Sequence, residues 1–530
     1  MNLPAWMKRA TKRARRGLGL RGFQAAKTSR LLSPWKIAAG FTSQEIRNSL
    51  SMVRGRSRDM AENSPQFKRW LDLRETNIVG EGFSLKSTPH DGTPGSASWK
   101  LDENAARFIE YHWKQWCKNP MYCDFAGRKT MAEIDRLNAK THARDGEYFA
   151  LPVASSNPYG LSLRIIRPDT CDEQYCTDLG AAYDGRIVEN GVEMDPVDRK
   201  PTAYWFKSGR GKDGTLTNRG PMARITAIFE DGPWMGEKKV IHGYTQEDES
   251  QTRGIPLGHA ALVTLKMLDL YNEAEVVAAR DEACSVRTYF APRGDDGEIA
   301  DLTTDENSDV TNALTAEKEP GQAEVLPLGW DTKVHTPQHP NRELTAFKAS
   351  LLKDTASGFG VEYSNYANDW GGVSFSSVRV GTISERDLWI VQQNNMIAQS
   401  KTPVFRIWLK AFLSMPISGA LPVSKYDKFV EHEFRGRRWM WVDPMRDMAA
   451  AVIAESKGWK TNTQITEDMG GDFDDNVEEI KRETVTIDGT VLERQPEAQS
   501  STSRALQLVR SVEDAERLDN ENEKQEEKSA

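Results

Sequence analysis

The chain has 530 residues, more than one ordinary hydrophobic core organises, so two to four domains are expected. Apolar residues make up 38% and charged residues 28%, with a mean hydropathy of -0.63, which is polar for this size and fits a surface that meets partner subunits or water on several sides. The net charge of -8 is unevenly spread, no run approaches eighteen apolar residues, and five scattered cysteines form no framework; this argues against a membrane span and a disulfide scaffold.

Met1–Lys36 holds ten Lys and Arg and no acid. It lacks the apolar core and cleavage site of a secretory signal. It reads either as a solvated arm or as an arm that touches nucleic acid or an acidic surface by counterion release. Gly17-Leu-Gly19-Leu-Arg-Gly22 fits a dinucleotide pattern. No strand precedes it, so it carries no weight.

Thr42–Thr76 reads as helical, with Pro65 starting a second helix. A short strand is expected at Phe83–Lys86, then a Gly, Pro and Ser loop. Helical blocks follow at Leu101–Lys118 and Met131–Arg144. From Glu147 the pattern turns to strands. Tyr148–Val153 and Leu161–Ile166 are β-branched and aromatic, Asn190-Gly191 marks a hairpin, and Pro201–Phe206, Ile225–Phe229 and Lys239–Ile241 add strands. Leu101–Tyr244 reads as one α+β domain.

Gly258–Cys284 is a long helical run, roughly 40 Å at 1.5 Å per residue. Leu262, Leu265, Met267, Leu268, Tyr271, Ala274, Val277 and Ala278 are expected on its apolar face. Lys266, Asp269, Glu273, Glu275, Arg280 and Asp281 are expected opposite. A polar insert, Ser285–Asn341, follows, with strands at Arg287–Phe290 and Glu324–Leu328 flanking an acidic loop. A second helix is expected over Arg342–Gly358, an aromatic and glycine loop over Phe359–Phe375, and a third long helix over Ser376–Leu413. Helices are then expected at Met445–Lys457 and Thr463–Arg482, the latter interrupted by Gly470-Gly471. From about Thr486 the composition predicts disorder, and Ser511–Ala530 holds eight acids against three bases.

No catalytic constellation emerges. There is no HExxH, no phosphate-binding GxxxxGK[ST] and no GxSxG. Cys117 and Cys123, and Cys171 and Cys176, lack histidines at zinc spacing. Asp472, Asp474 and Asp475 read as a solvated loop or helix start. No catalytic, metal or cofactor residue is assigned. The most unusual stretch is Phe359–Phe375, where Tyr363, Tyr366 and Trp370 mix with Asn365, Asn368, Gly371 and Gly372. Such a loop can brush bases and sugar-phosphate without reading sequence, or it can be an aromatic surface loop tucked onto its own domain.

Several blocks, in order, resemble the portal proteins of lambda-type tailed phages. They are Arg54-Gly-Arg-Ser-Arg-Asp59 with Asn77-Ile-Val-Gly80, Trp113-x-x-Trp116, Asp145-Gly-Glu147, and Asn190-Gly-Val-Glu193 with Pro201-Thr-Ala-Tyr204. Gln251-Thr-Arg-Gly-Ile-Pro256, Leu265-x-x-Leu268-x-x-Tyr271-x-x-Ala274-Glu275, Tyr363–Ser377 with Arg379, and Trp441-Val-Asp-Pro444 continue the series. Together they span Thr42–Lys481.

The resemblance implies an α+β portal fold with an α/β wing, helical stem, small α/β clip, tunnel loop and helical crown. The expected segments are a basic arm (1–41), wing (42–256 and 376–430), stem helices (257–284 and 342–358), clip (285–341), tunnel loop (359–375), crown (431–482) and polar acidic tail (483–530). It implies a homo-oligomeric ring, usually of twelve subunits, in the virion at one capsid vertex, assembled in host cytoplasm. Double-stranded DNA would pass through it, unread.

Expected partners are the terminase large subunit, head-completion and tail connector proteins, the major capsid protein and scaffold, with no membrane and no cofactor. Tyr363, Asn365, Tyr366, Asn368, Trp370, Gly371 and Gly372 are the expected DNA-contacting residues of the loop. Asp295, Asp296, Asp301, Asp305, Glu306 and Trp330 are the expected docking residues of the clip. The alternatives are a capsid or tail adaptor without a channel, and a carbohydrate hydrolase whose paired carboxylates the sequence does not display.

Overall fold

The computed structural model describes residues 42–96, 98–210, 216–217, 222–283, 287–290, 331–334, 343–371, 374–419, 421–441 and 443–486. The basic arm, the acidic clip residues Asp295, Asp296, Asp301, Asp305 and Glu306, the strand expected at Glu324–Leu328, Trp330, Gly372 and tail residues 487–530 lie outside the described residues.

The chain opens with two helices, α1 (Thr42–Asn63) and α2 (Pro65–Arg74). Ser64 and Pro65 start the second, where a missing N–H costs nothing. A π-turn, Glu75–Val79, leads to β1 (Ser84–Ser87). Helices α3 (Glu103–Lys118) and α4 (Met131–Asp145) follow. Thr130 and Glu133 close a capping box at the start of α4, and Gly146 at φ 89° ends it in the left-handed conformation.

Two antiparallel sheets come next. The first pairs β2 (Glu147–Ala154) with β3 (Leu161–Ile166). The second runs through β4 (Thr177–Asp178), β5 (Ile187–Glu189), β6 (Val192–Met194), β7 (Pro201–Phe206) and β8 (Ala223–Thr226), each paired with the next. Asn190 (φ 55°) and Gly191 (φ 82°) turn β5 into β6, as the Asn-Gly pair predicts. A side chain on Gly191 would meet Asp172 O at 2.6 Å. The strand β9 (Ile241–Tyr244) completes the first sheet.

Helix α5 spans Leu262–Ala283, about 33 Å. The preceding residues, expected to be helical, form turns, because Gly258 sits against Phe359 and Trp70. The insert is closed by an antiparallel ladder of β10 (Arg287–Phe290) and β11 (Asp331–Val334). Helix α6 (Leu344–Phe359) then returns to the body and stops at Gly360 (φ 65°). A short helix, α7 (Tyr363–Ala367), interrupts the expected loop.

The third run is α8 (Phe375–Met396), a π-turn (Ile397–Lys401) and α9 (Thr402–Leu413), with helical backbone throughout. The strand β12 (His432–Arg435) pairs with β1, so these residues belong to the main body rather than to a separate C-terminal unit. Helices α10 (Pro444–Ser456), α11 (Asn462–Asp468) and α12 (Phe473–Thr486) finish the described chain, and α12 takes in residues 483–486 of the expected tail.

One apolar core joins α3, α4, β2 and β3 to α9 and β12, with Trp113, Trp116, Phe405, Trp408, Phe412 and Phe434 at its centre. A second joins α2, α4, the start of α5, the end of α6, α7 and α8. Helix α5 departs from expectation. Leu262, Leu265 and Leu268 are buried, but Met267, Ala274 and Val277, expected on the same face, are exposed.

Candidate functional site

The loop between α6 and α8 has a fixed base and an open tip. Its base is an aromatic stack: Phe359 lies on Trp70 at 4.3 Å and 12°, and Tyr366 meets Phe359 edge-on at 5.7 Å. Trp70 Nε1 donates to Phe359 O at 3.3 Å. Glu362 caps α7 by accepting from Asn365 N at 2.8 Å. Arg69 Nη2 donates to Asn365 O, Asn365 Oδ1 and Asn368 Oδ1, and Asn365 Nδ2 donates to Glu385 on α8 at 3.2 Å. Burial raises the pKa of Glu385.

Tyr366 is 2% exposed, so it is a core residue and not a surface contact. Its place was not visible because Trp70 lies nearly three hundred positions away in sequence. Tyr363 and Asn365 are half-buried. The Tyr363 hydroxyl donates to Asp369 Oδ2 at 2.8 Å, which holds the Asp369 carboxyl below its usual range. At the tip, Asn368 takes a left-handed φ of 53°, and Asn368, Trp370 and Gly371 are exposed, Trp370 by 52%. Ser374 then caps α8 by accepting from Ser377 N at 3.3 Å.

Two buried charge groups, neither of them expected from the sequence, tie elements of the body together. Glu147 is fully buried beside Gly146, where it accepts from Arg54 Nη2 at 2.6 Å, Arg253 Nε at 2.9 Å and Gly254 N at 3.0 Å, and lies 2.9 Å from His242 Nε2. Burial pushes its carboxyl up, but Arg253 and Arg54 outweigh that and hold it well below the usual range. The cluster ties α1, β2 and β9 to the segment that launches α5. On α9's side, Lys401 in the π-turn reaches Asp135 of α4 at 2.8 Å, both buried, and lies 5.5 Å from the Trp113 ring. Arg54, Glu147 and Arg253 each stand in a block quoted above for the family resemblance, but that they meet follows only from the fold.

Among the described residues no group of His, Cys, Asp and Glu is arranged to hold a metal ion, and no helix is long and apolar enough to cross a membrane. An open groove between α10 and α11 is lined by Trp441, Ala450, Ala451, Ala454 and Ile465, with Asp447, Lys460 and Asp468 at its edges. It brings no nucleophile up to a base.

The hairpin of α5 and α6 carries the insert, the buttressed loop follows it, and α8 and α9 continue as one helical run. Residues 28–393 match the model of the phage portal protein family of lambda type, and the chain belongs to that family. It is 30% identical over 480 residues to a probable portal protein of Halomonas phage phiHAP-1, covering 87% of this chain and 86% of the relative. It is 21% identical to portal protein B of Escherichia phage lambda, over 82% and 84% of the two chains. Among solved structures, a chain from the virion of a native gene transfer agent particle aligns with 80% of this chain and 93% of its own length, at 14% identity and a TM-score of 0.43.

Proposed function

We propose that this portal protein assembles into a ring at one vertex of a phage head, and that double-stranded DNA enters and leaves through the ring without being read. In this reading α5 and α6 are the stem, and residues 285–341 between them form the clip that docks the terminase large subunit and later the head-completion and tail connector proteins. The main body, including β12, is the wing, and α10 to α12 form the crown. The chain makes no bonds itself; its work is to hold a channel.

The observation that carries the reading is the loop, with its base locked by Trp70, Phe359, Tyr366 and Arg69 and its tip open at Asn368, Trp370 and Gly371. A firm base and an open aromatic and amide tip suit repeated contact with a sliding duplex, through stacking and weak polar contacts. Of the expected contact residues, Tyr366 is removed by its burial and Tyr363 serves Asp369. The test is nuclease-protected DNA per particle in phage carrying Trp370→Ala. Portal incorporation should be normal and packaged or retained DNA reduced. Normal genome content would remove the loop tip from the reading.

A further inference from the structure

Helix α5 carries a second apolar face that its own subunit leaves bare. Val263, Met267, Leu270, Ala274 and Val277 are all exposed, the four larger ones by 49–61%. Their spacing alternates four and three residues, the seam by which one helix packs on another. The face lies roughly opposite Leu265, which is fully buried against α2, α6 and the loop base. A helix apolar on both sides is one that is covered on both sides. We propose that this seam docks α6 of a second copy of the chain, with Phe347 as the side chain that enters it. The inference rests on the ring reading above.

The levels of the two helices carry the assignment. Within one subunit α5 and α6 run antiparallel: the Tyr271 ring lies 5.1 Å from Phe347, and a side chain on Gly358 would meet Ala261 at 3.0 Å. Copies related by rotation about an axis along these helices keep those levels. Phe347, 49% exposed, then stands beside Met267, Leu270 and Ala274 of the next copy, a hole with a large side chain available to fill it. Charges agree with the same register. Lys266, at the edge of the seam and 3.8 Å from Asp59 in its own subunit, falls level with the exposed Asp354. Glu273, also at the edge, falls within about one helical turn of Lys348. The contact joins two different patches, the heterologous kind that closes a ring.

The test compares Leu270→Glu with Val276→Glu in the full-length chain, by sedimentation velocity and circular dichroism. Val276 is 68% exposed on the same helix but off the seam. Leu270→Glu should shift at least nine-tenths of the protein from rings to free subunits with unchanged helical signal, while Val276→Glu should stay in rings. The double variant Leu270→Glu with Phe347→Lys should recover rings, which identifies the pair and separates a lost contact from a damaged fold. Rings of Leu270→Glu at the wild-type level would overturn the seam and leave the ring reading standing, as would a double variant that fails to recover them. Wild-type chain that forms no rings even with capsid and scaffold proteins present would overturn both.

Discussion

Helices α5 and α9 are both rich in apolar residues, yet the fold treats them in opposite ways. Along α9, Val404, Phe405, Ile407, Trp408, Leu409, Phe412 and Leu413 are all buried, with Trp408 stacked on Phe412 at 4.9 Å. Along α5, Leu262, Leu265 and Leu268 are buried, while Val263, Met267, Leu270, Val276 and Val277 are exposed. Apolar surface left in water costs about 25 cal/mol per Å², so both helices need cover on every apolar side. Helix α9 finds it inside the subunit; the cover of α5 lies in the assembly. The difference separates what folds the chain from what joins it to its copies.

The largest effect is expected at Trp408. Trp408→Ala should destabilise the subunit by about 3–5 kcal/mol and take assembly with it, read as a lower urea midpoint and loss of soluble protein. Leu270→Glu should do the reverse, sparing the midpoint and losing the ring. A Trp408→Ala midpoint equal to wild type would mean that α9 is not the centre of the core.

Acid sharpens the same division. Burial lowers the pKa of His242, which stacks on Phe149 at 4.3 Å, and outweighs the opposite pull of Glu147 beside it. Below about pH 6.5 the unfolded chain binds the proton that the fold refuses, so stability falls as pH falls, by up to about 1.4 kcal/mol per pH unit. The depressed Glu147 acts lower: its contribution is present above about pH 4.3 and is lost only as pH drops through its folded value. Urea midpoints at pH 7 and pH 5 should therefore differ, and His242→Gln should shrink the difference. An unchanged difference would remove His242 from the acid response. The smallest expected effect is at the loop base. The buried Tyr366 hydroxyl has no hydrogen-bond partner among the described residues, so Tyr366→Phe should change stability by less than about 1 kcal/mol, and a larger loss would reveal a partner for it.

Local signals in the sequence were reliable because their physics is local. The Asn190-Gly191 hairpin forms where its turn residues predict, and helices start at Met131 and Pro444, within one residue of the starts expected from the sequence. What stayed hidden depends on distant partners. β1 pairs with β12 across some 350 positions, and no pattern in either four-residue strand announces it. The loop's aromatic content was legible, but which ring is buried follows from Trp70 and Phe359. Periodicity shows that a face of α5 is apolar, not whose atoms cover it, which is why Met267, Ala274 and Val277 are exposed where the sequence predicts one broad apolar face.

In the proposed ring the loop tip turns toward the channel. The most direct measurement is a cryo-electron microscopy map of the full-length chain produced together with its capsid and scaffold proteins. The map should show a ring with Trp370 at the channel wall and α5 of each copy packed on α6 of the next. A closed assembly without a channel, or a ring with Trp370 on its outer surface, would contradict it.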